Sequence, residues 1–481
     1  MSAGKPRPSV ARSLRALGSR ERIAAIADPG TVAPVDAWLE APRPSPHLAR
    51  WGIAAQDDDG VAVARAAIRG APVMIVAQDE RFLRGSAGAK HGEALRRVFE
   101  CARVERPAAV VVLAASSGVR LHEANPAELS LARALAALLD LRASGVAVLT
   151  VCIADTFGGA SILAAAAERT ALLAGVRFGL SGPAVIETAR GRGEVDANDA
   201  AGVAALFGAE SRAAAGHLEL VADDAGAVRD WIDAGIREST PFAASVHRMQ
   251  ARLAARFDVA EGVANHAPRR ESGAPERLPD RAAPLYADAE PVDSARWLWR
   301  MSDRPLWISR ANGAATLGPR DAHGLADALL AHIAVGSAIE PSTLLIVGDS
   351  QGHEASRGAE SLCISQFLAQ VAAVIALLRS QGVEVHGILT GIGHSAAFFA
   401  TTLQAPHVDA LASSRVVAME PAAIARVLRR PESEIAALVE TDAVIGQPVR
   451  HFASWGGIAR ILPDVDVESV RAIAGRPMPR R

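Results

Sequence analysis

Hydrophobic positions follow two different periods along this chain. Short apolar segments such as AAVVVLAAS (108–116) and VAVLTVCIA (146–154) predict buried β-strands. Apolar residues repeat every three or four positions in the longer segments between them, which predicts helices, one of them ending near Ser144. Strands that alternate with helices indicate stacked β-α units rather than a β-sandwich.

One stretch of this pattern occurs twice. LRASGVAVLTVCIADTFGGAS (141–161) aligns without a gap on LRSQGVEVHGILTGIGHSAAF (378–398). Each copy predicts a helix end, a glycine turn, a buried strand, a small-residue turn and an Ala-rich helix. In this alignment Gly158-Gly159 falls on Ser395-Ala396. Two copies at matching offsets indicate two homologous domains.

The elements around the repeat occur in the same order in both halves. The first half is predicted to contain helix 8–26, strands 61–68 and 71–78, and a Gly/Ser loop that runs into a helix within 81–102. After a polar segment at 188–226, it is predicted to end with helix 227–255. The second half is predicted to contain strand 305–312, helix 320–334, strand 342–349 and a long helix ending at Ser380, with a frayed tail beyond 463. A Pro- and Arg-rich segment at 258–292 is interpreted as the linker between domains 1–257 and 293–481.

The small-residue turns are candidate anion sites. Small residues let another group approach the backbone closely, and the helix that follows presents free N–H groups. Ser117-Gly118 lies in the loop after the preceding strand, and corresponds in role to Ser350-Gln351 of the second half. This pair is expected either to contribute to the site or to cap the next helix.

The composition limits the kinds of site and partner that this chain is expected to have. The formal net charge of −2 gives no indication of nucleic-acid binding, and the only lysines are Lys5 and Lys90. Neither lysine lies in a biotin-attachment sequence. The three cysteines are far apart without a CxxC pair, so no metal site is expected. The first 20 residues lack a continuous apolar segment, and the apolar runs reach about half of the roughly 20 residues that a membrane-spanning helix needs. A cytoplasmic protein without a membrane partner is therefore expected.

Several motifs resemble the carboxyltransferase branch of the crotonase superfamily. SSGVRLHEAN (116–125) is similar to its SGGxRxQE loop, and the segment FGGAS…FGLSGPAVIE (157–187) is similar to its GGxxAS turn and FxGPxVIE segment. GIGHSAAFFA (391–400) is similar to the GxGGSGGALA turn of the partner subunit. Ala396 stands where that family usually has glycine, and His394 is unusual there.

Within this branch the chain most resembles the biotin-independent malonate decarboxylases. The pattern SPHL…GI…Q.DDGV (45–61) and the pattern F..GS.G..HG (82–92) are similar to the beta subunit. The second half is similar to the gamma subunit through its Ser-Gln loop and its turn. The resemblance covers roughly 45–235 and 300–462, as expected for a beta–gamma fusion.

This resemblance implies an α/β fold with two crotonase-like (ClpP/crotonase) β-β-α spiral domains in tandem. It also implies decarboxylation of a malonyl thioester to an acetyl thioester and CO2. No cofactor would be bound by this chain, because the substrate is carried on the CoA-like prosthetic group of a separate carrier protein. The implied partners are an acyl-carrier protein subunit and an acyl-carrier transferase subunit, and the homo-oligomeric state is left open. Two alternatives remain: the carboxyltransferase component of a biotin-dependent acyl-CoA carboxylase, and a diverged, non-catalytic subunit.

The resemblance also implies which residues form the site. The expected catalytic residues are Gly158, Gly159, Ser117, Gly118, Ser395, Ala396 and His394. The expected substrate-binding residues are Ser86, Gly88, Gly182 and Gly393. Backbone N–H groups at the turns would stabilise the enolate oxygen. His394 is either the proton donor or a solvated loop histidine.

Four further residues of these motifs are considered for a role at the site. Arg120 and Glu123 form either an internal ion pair or a contact with the substrate, and His91 is expected to make a structural hydrogen bond. Lys90 either meets a phosphate of the carrier's arm or is simply exposed.

Overall fold

Each half of the chain forms one mixed β-sheet covered by helices. The computed structural model describes residues 13–35, 44–264, 282–286, 288–302, 306–311, 316–333 and 342–463. The strands of the first half are β1 (Ala33–Pro34), β2 (Val61–Ile68), β3 (Ala71–Gln78), β4 (Ala109–Ser116), β5 (Ala147–Thr156), β6 (Arg169–Leu173) and β7 (Glu219–Val221). Those of the second half are β8 (Ala289–Pro291), β9 (Leu298–Met301), β10 (Leu306–Ala311), β11 (Thr343–Ser350), β12 (Glu384–His394), β13 (His407–Leu411), β14 (Arg415–Val417) and β15 (Arg460–Leu462).

The helices follow the same division. The first half has α1 (Ser19–Ile26), α2 (Ala89–Glu105), α3 (Ala124–Ala143), α4 (Gly159–Ala165), α5 (Pro183–Arg190), α6 (Ala200–Phe207), α7 (Ala209–Ala214), α8 (Ala225–Arg237) and α9 (Phe242–Ala264). The second half has α10 (Pro319–His332), α11 (Arg357–Ser361), α12 (Ile364–Ser380), α13 (Ser395–Ala400), α14 (Pro421–Leu428), α15 (Glu432–Thr441) and α16 (Val449–Ser454). Short 3-10 turns occur at Leu14–Ala16, Ala49–Trp51, Leu83–Gly85, Ala283–Tyr286 and Thr402–Gln404.

The two sheets have the same strand order. In the first, β1, β2 and β3 are antiparallel, and β3 to β7 are parallel neighbours in chain order. In the second, β8, β9 and β10 are antiparallel, and parallel pairing then runs through β11, β12, β13 and β15, with β14 on the end of β12. The predicted fold class, two tandem α/β domains of the crotonase type, is confirmed.

The two halves share one hydrophobic core. Every residue of β4 is buried, as expected for a central parallel strand covered on both faces. Helix α12 is buried from Ile364 to Leu378 because it packs against its own half and against α3, α4 and α9 of the other half. The long apolar helix of the second half therefore joins the two domains.

The serine loop that precedes the repeat differs by one residue from the expected correspondence. Ser116 pairs with Thr156 at the end of β4, and Ser350 pairs with Gly393 at the end of β11. In each half the serine hydroxyl accepts a hydrogen bond from the N–H two residues later, at Gly118 (3.2 Å) and at Gly352 (3.1 Å). Ser116 is therefore the counterpart of Ser350, and the expected match of Ser117-Gly118 with Ser350-Gln351 is wrong by one position. Two consecutive serines made the alignment ambiguous.

Other boundaries also differ from the predictions. The described part of the predicted helix 8–26 is helical only at 14–16 and 19–26, and the predicted helix 227–255 is split into α8 and α9. The break falls at Pro241, which precedes α9 and has no N–H for a continuous helix.

The polar segment and the predicted linker both contain regular structure where they are described. The polar segment 188–226 contains α6, α7 and β7. The predicted linker overlaps the end of α9 and contains β8, which pairs with β9, whereas 265–281 lie outside the described residues. The predicted frayed tail also lies outside them.

Candidate active site

The two small-residue turns of the repeat line one cavity. This cavity has a volume of about 1390 Å³ and lies between the two halves. Gly158 and Gly159 of the first half and Ser395 and Ala396 of the second half all contribute to its wall. Of the other predicted site residues, Ser86, Ser117 and Gly182 line it as well, whereas Gly88, Gly118, Gly393 and His394 do not. Its volume exceeds the range of roughly 300–1,000 Å³ usual for small-molecule pockets.

The first turn leaves one predicted N–H donor free. Gly158 has φ +61°, and its N–H donates to the Leu180 carbonyl oxygen at 3.0 Å. Helix α4 begins at Gly159, so an intrahelical acceptor for the Gly159 N–H does not exist. No other acceptor for it is present among the described residues. Gly159 is therefore the donor of this turn that faces the cavity.

Gly118 allows its own loop and the first turn to cross closely. It is buried with φ +98°, and a Cβ atom there would lie 3.1 Å from the Gly158 Cα. The close crossing of the two loops thus requires glycine at this position. The neighbouring Ser117 is exposed to the cavity, and its N–H donates to the Arg84 carbonyl oxygen at 3.3 Å. Only the hydroxyl of Ser117 is available to a ligand.

The second turn resembles the first, with a serine in the strained position. Ser395 occupies the place of Gly158 and has φ +49°. The left-handed conformation falls on Ser395 and not on Ala396, so the Ala396 N–H at the start of α13 remains available to a ligand. Phe399 reaches across to the first half, because a Cβ atom at Gly159 would lie 3.6 Å from its ring. The buried Gly393 lies behind the turn, against the Phe398 ring.

Two histidines lie close together beside the second turn. His394 is half-buried, and burial lowers its pKa. His353, which the sequence analysis did not select, lines the cavity and lies 2.8 Å from the Ser181 hydroxyl through its Nε2. Burial and then the neighbouring His394 lower the pKa of His353 to about 4. Both imidazoles are therefore neutral at pH 7.

The predicted Arg120–Glu123 ion pair is internal. Arg120 contacts Glu123 at 2.9 Å and Asp59 at 2.6 Å, and all three side chains are buried. Burial raises the pKa of Asp59 to about 6 despite the adjacent Arg120. Gly88 packs against this network, since a Cβ atom there would lie 2.4 Å from the Arg120 guanidinium. Gly88 therefore supports the ion network rather than the cavity wall.

His91 and Lys90 are engaged away from the cavity. His91 is buried, with its Nε2 2.8 Å from the Gln78 amide, which confirms its structural hydrogen bond. The Lys90 ammonium lies 3.3 Å from the Glu93 carboxylate and does not line the cavity. Arginines take the expected place of Lys90 at the cavity edge, among them Arg84, Arg426 and Arg429.

Glu128 is a second cavity residue that the sequence analysis did not select. It lies on α3, is 2% exposed, and burial raises its pKa to about 8. Its Oε2 has no hydrogen-bond partner within the described residues. The signal was present in the sequence: Glu128 interrupts an apolar helix face with Ala124, Leu131 and Leu135 at helical spacing.

The described part of the chain contains neither a cluster of metal-binding side chains nor a helix that could span a membrane. No group of three or more His, Cys, Asp or Glu side chains there is positioned to hold a metal ion. No described helix is long and apolar enough to cross a bilayer.

Comparison with known proteins assigns both halves. Residues 16–235 match the carboxyl transferase domain, and residues 312–475 match the gamma subunit of malonate decarboxylase. The malonyl-S-ACP:biotin-protein carboxyltransferase of Malonomonas rubra is 31% identical over 225 residues, covering 43% of this chain and 69% of that protein. The acetyl-coenzyme A carboxylase carboxyl transferase subunit beta of Alkaliphilus oremlandii is 31% identical over 193 residues, covering 39% and 70%.

Coverage is lower for a fused relative and higher for a solved structure. The fused beta/alpha subunits of the Parafrankia acetyl-coenzyme A carboxylase are 33% identical over 181 residues, and the chain spans only 29% of their length. The structure of a Pseudomonas malonate decarboxylase hetero-tetramer in complex with malonate matches at 31% identity and a TM-score of 0.48, covering 54% of this chain and 95% of that one.

The fold and these matches define an α/β enzyme that acts on carboxylated thioesters. The chain belongs to the carboxyl transferase family. Its particular arrangement is a carboxyl transferase domain followed, in the same chain, by a domain of the malonate decarboxylase gamma-subunit family. The predicted beta–gamma fusion is confirmed.

Proposed function

We propose that this chain decarboxylates a malonyl thioester carried by a separate acyl-carrier protein, giving an acetyl thioester and CO2. The observation that carries the proposal is the shared cavity, whose wall contains one small-residue turn from each half. The gamma-subunit match of the second half supports the choice of malonate chemistry. A cavity of about 1390 Å³ suits a thioester at the end of a flexible arm better than free malonate.

The two turns would stabilise different parts of the reacting malonyl group. Cleavage of the bond between the methylene carbon and the carboxylate releases CO2 and leaves its electron pair on the enolate, with the negative charge on the thioester oxygen. The Gly159 N–H would donate to that oxygen, and a well-placed donor of this kind contributes about 3–4 kcal/mol. The Ala396 N–H, facing the same cavity, would orient the departing carboxylate. Protonation of the enolate carbon completes the acetyl group.

The partners follow from the form of the substrate. An acyl-carrier protein would present the malonyl group on its CoA-like arm, and a separate transferase would load it. Arg84, Arg426 and Arg429 at the cavity edge supply positive charge for a phosphate on that arm. This chain itself would bind no cofactor.

Carboxyl transfer to a biotin protein is the second candidate. It is favoured by the Malonomonas relative, which is described as a carboxyltransferase from malonyl-S-ACP to a biotin protein. Both reactions begin with the same malonyl thioester and the same enolate. They differ in whether the carboxyl group leaves as CO2 or is passed to biotin.

Carbon dioxide release under biotin-free conditions tests the proposal. Malonyl-carrier protein labelled in the free carboxylate is mixed with the purified chain in the presence of avidin, and labelled CO2 is measured. Release of labelled CO2 that avidin does not affect supports decarboxylation, whereas label that moves from the malonyl group to an added biotin protein, and does not move when avidin is present, supports the second candidate. No turnover under either condition would favour a non-catalytic subunit. Rapid release from free malonate would contradict the dependence on a carrier.

A further inference from the structure

The cavity contains a carboxyl group that the chemistry above does not use. We infer that Glu128 is the catalytic acid that protonates the enolate carbon, an inference that rests on the proposed decarboxylation. Its side chain reaches the cavity from α3, the helix that packs behind the first turn. Neither turn supplies an acidic side chain, and the other carboxylates of the wall, Glu80 and Asp155, are paired with Arg22 and Arg177.

The position of Glu128 is fixed by the same helix that supports the enolate site. Leu131, almost one turn further along α3, lies beside the first turn, because a Cβ atom at Gly159 would be 3.1 Å from its Cδ2. Residues three positions apart share a helix face, so Glu128 and Leu131 point in similar directions. Glu128 is 98% buried, yet its Oε2 lacks a partner in the described part of the chain. A buried carboxyl group of this kind is costly unless it serves a ligand.

Burial also gives Glu128 the protonation state that an acid needs. Its pKa of about 8 leaves the carboxyl protonated at pH 7, whereas the neutral His353 and His394 have no proton of comparable acidity to donate. Desolvation is the cause of this raised pKa, and no charged group contributes to it.

The charged and titratable groups around α3 are otherwise engaged or lie on other parts of the wall. On the adjoining α2, Lys90, Glu93 and Arg97 bond to one another, Arg96 pairs with Glu100, and Cys101 bonds to Glu105. On α16, Arg450 and His451 bond to the Glu440 carbonyl oxygen, and on α12 Arg379 pairs with Asp140 of α3 itself. On the cavity wall they are Arg15, Glu80 (paired with Arg22), His122, His353, the Asp155–Arg177 pair and the arginines Arg84, Arg426 and Arg429.

The proton balance closes without another reactant. The Glu128 carboxyl gives its proton to the enolate carbon, the new C–H bond forms, and the negative charge moves to the Glu128 carboxylate. Solvent entering the open cavity then returns a proton to Glu128. Each turnover consumes one proton, as conversion of a malonyl thioester into an acetyl thioester and CO2 requires.

Glu128→Gln separates protonation from bond cleavage. Two rates are measured on malonyl-carrier protein: net formation of acetyl-carrier, and exchange of labelled CO2 into the malonyl group. We expect net formation to fall by about 100-fold or more, the usual cost of losing a general acid, with KM unchanged. Labelled CO2 exchange should persist, because the enolate still forms and waits for a proton. Glu100→Gln, an exposed glutamate of α2 paired with Arg96, is the matched control and should behave like the unmodified chain.

Three outcomes would overturn the inference. Glu128→Gln with net turnover close to that of the control would remove Glu128 from the reaction, and equal loss of turnover and exchange would indicate a structural role. If the Gln variant does not fold, the pH profile of the unmodified chain decides: turnover should decline above pH 8, and a flat profile to pH 9 would contradict a Glu128 acid. An unmodified chain that never releases CO2 overturns the proposed function itself, which the other outcomes leave intact.

Discussion

Replacing Gly159 with proline tests whether the first turn carries the enolate. Proline deletes the single N–H that faces the cavity from this turn, and it does so at a position that tolerates proline. Gly159 is the first residue of α4, where an N–H has no intrahelical acceptor and where proline is favoured in helices. The φ of Gly159 is not in the left-handed region, in contrast to the φ of +61° at Gly158. Proline at Gly158 would be incompatible with its backbone and would also break the bond to Leu180.

The steric cost of Gly159→Pro is small, and a control variant can reproduce it. A Cβ atom at Gly159 would approach the Leu131 Cδ2 at 3.1 Å, a distance that the end of a leucine side chain can relieve by a small movement. Gly159→Ala adds the same Cβ atom and keeps the N–H, so it is the control for packing. The remaining difference between the two variants is the donor. One oxyanion donor is worth about 100-fold to 1,000-fold in kcat, or about 2.7–4 kcal/mol.

The assay is carbon dioxide release from malonyl-carrier protein, with circular dichroism and thermal unfolding as the test of folding. We expect Gly159→Pro to be at least about 100-fold slower than Gly159→Ala. The reasoning is refuted if folded Gly159→Pro matches Gly159→Ala, or if Ala396→Gly abolishes turnover while Gly159→Pro retains it. The second result would assign the enolate to the turn of the other half.

Three further predictions concern the strained turn, the histidine and the buried acid. Ser395→Gly should raise the free energy of unfolding by about 1 kcal/mol, because it removes a serine from the left-handed backbone conformation. Gly158→Ala should lower the free energy of unfolding by about 1–2 kcal/mol, because it places a side chain at a residue with φ +61°. Urea denaturation measures both changes. His394→Asn should keep most of the decarboxylation rate. Removal of a general acid typically lowers the rate by about 100-fold, and a loss of that size would identify His394 as the proton donor. Burial raises the pKa of Glu128 from 4.5 in the unfolded chain to about 8 in the folded chain. Between these pH values the folded chain holds a proton that the unfolded chain has released, so the contribution of Glu128 to the free energy of unfolding falls as pH rises. Glu128→Gln should therefore gain stability relative to the unmodified chain between pH 5 and 8, by at most about 1.4 kcal/mol per pH unit, and equal pH dependence of the two unfolding curves would exclude a raised pKa.

Much of the fold was readable from local patterns. The fully buried β4 and the long helix α12 are continuous apolar segments, and their boundaries agree with the predictions to within a few residues. The short edge strands β8 and β9 were not predicted, because strands of three and four residues have too little periodicity to be distinguished from a linker. Their pairing depends on the neighbouring strand β10, which only the folded sheet brings beside them.

The sequence by itself determined the repeated strand–turn–helix units, because buried parallel strands and helix starts depend on residues close together in the chain. It therefore identified Gly159 and Ala396 before the structure placed them in one cavity. Only the tertiary structure decided which N–H groups are free, since the acceptor of the Gly158 N–H is 22 residues away at Leu180. The acidity of Glu128 was also decided there, because it arises from burial, a property of the packed helices and not of any local motif.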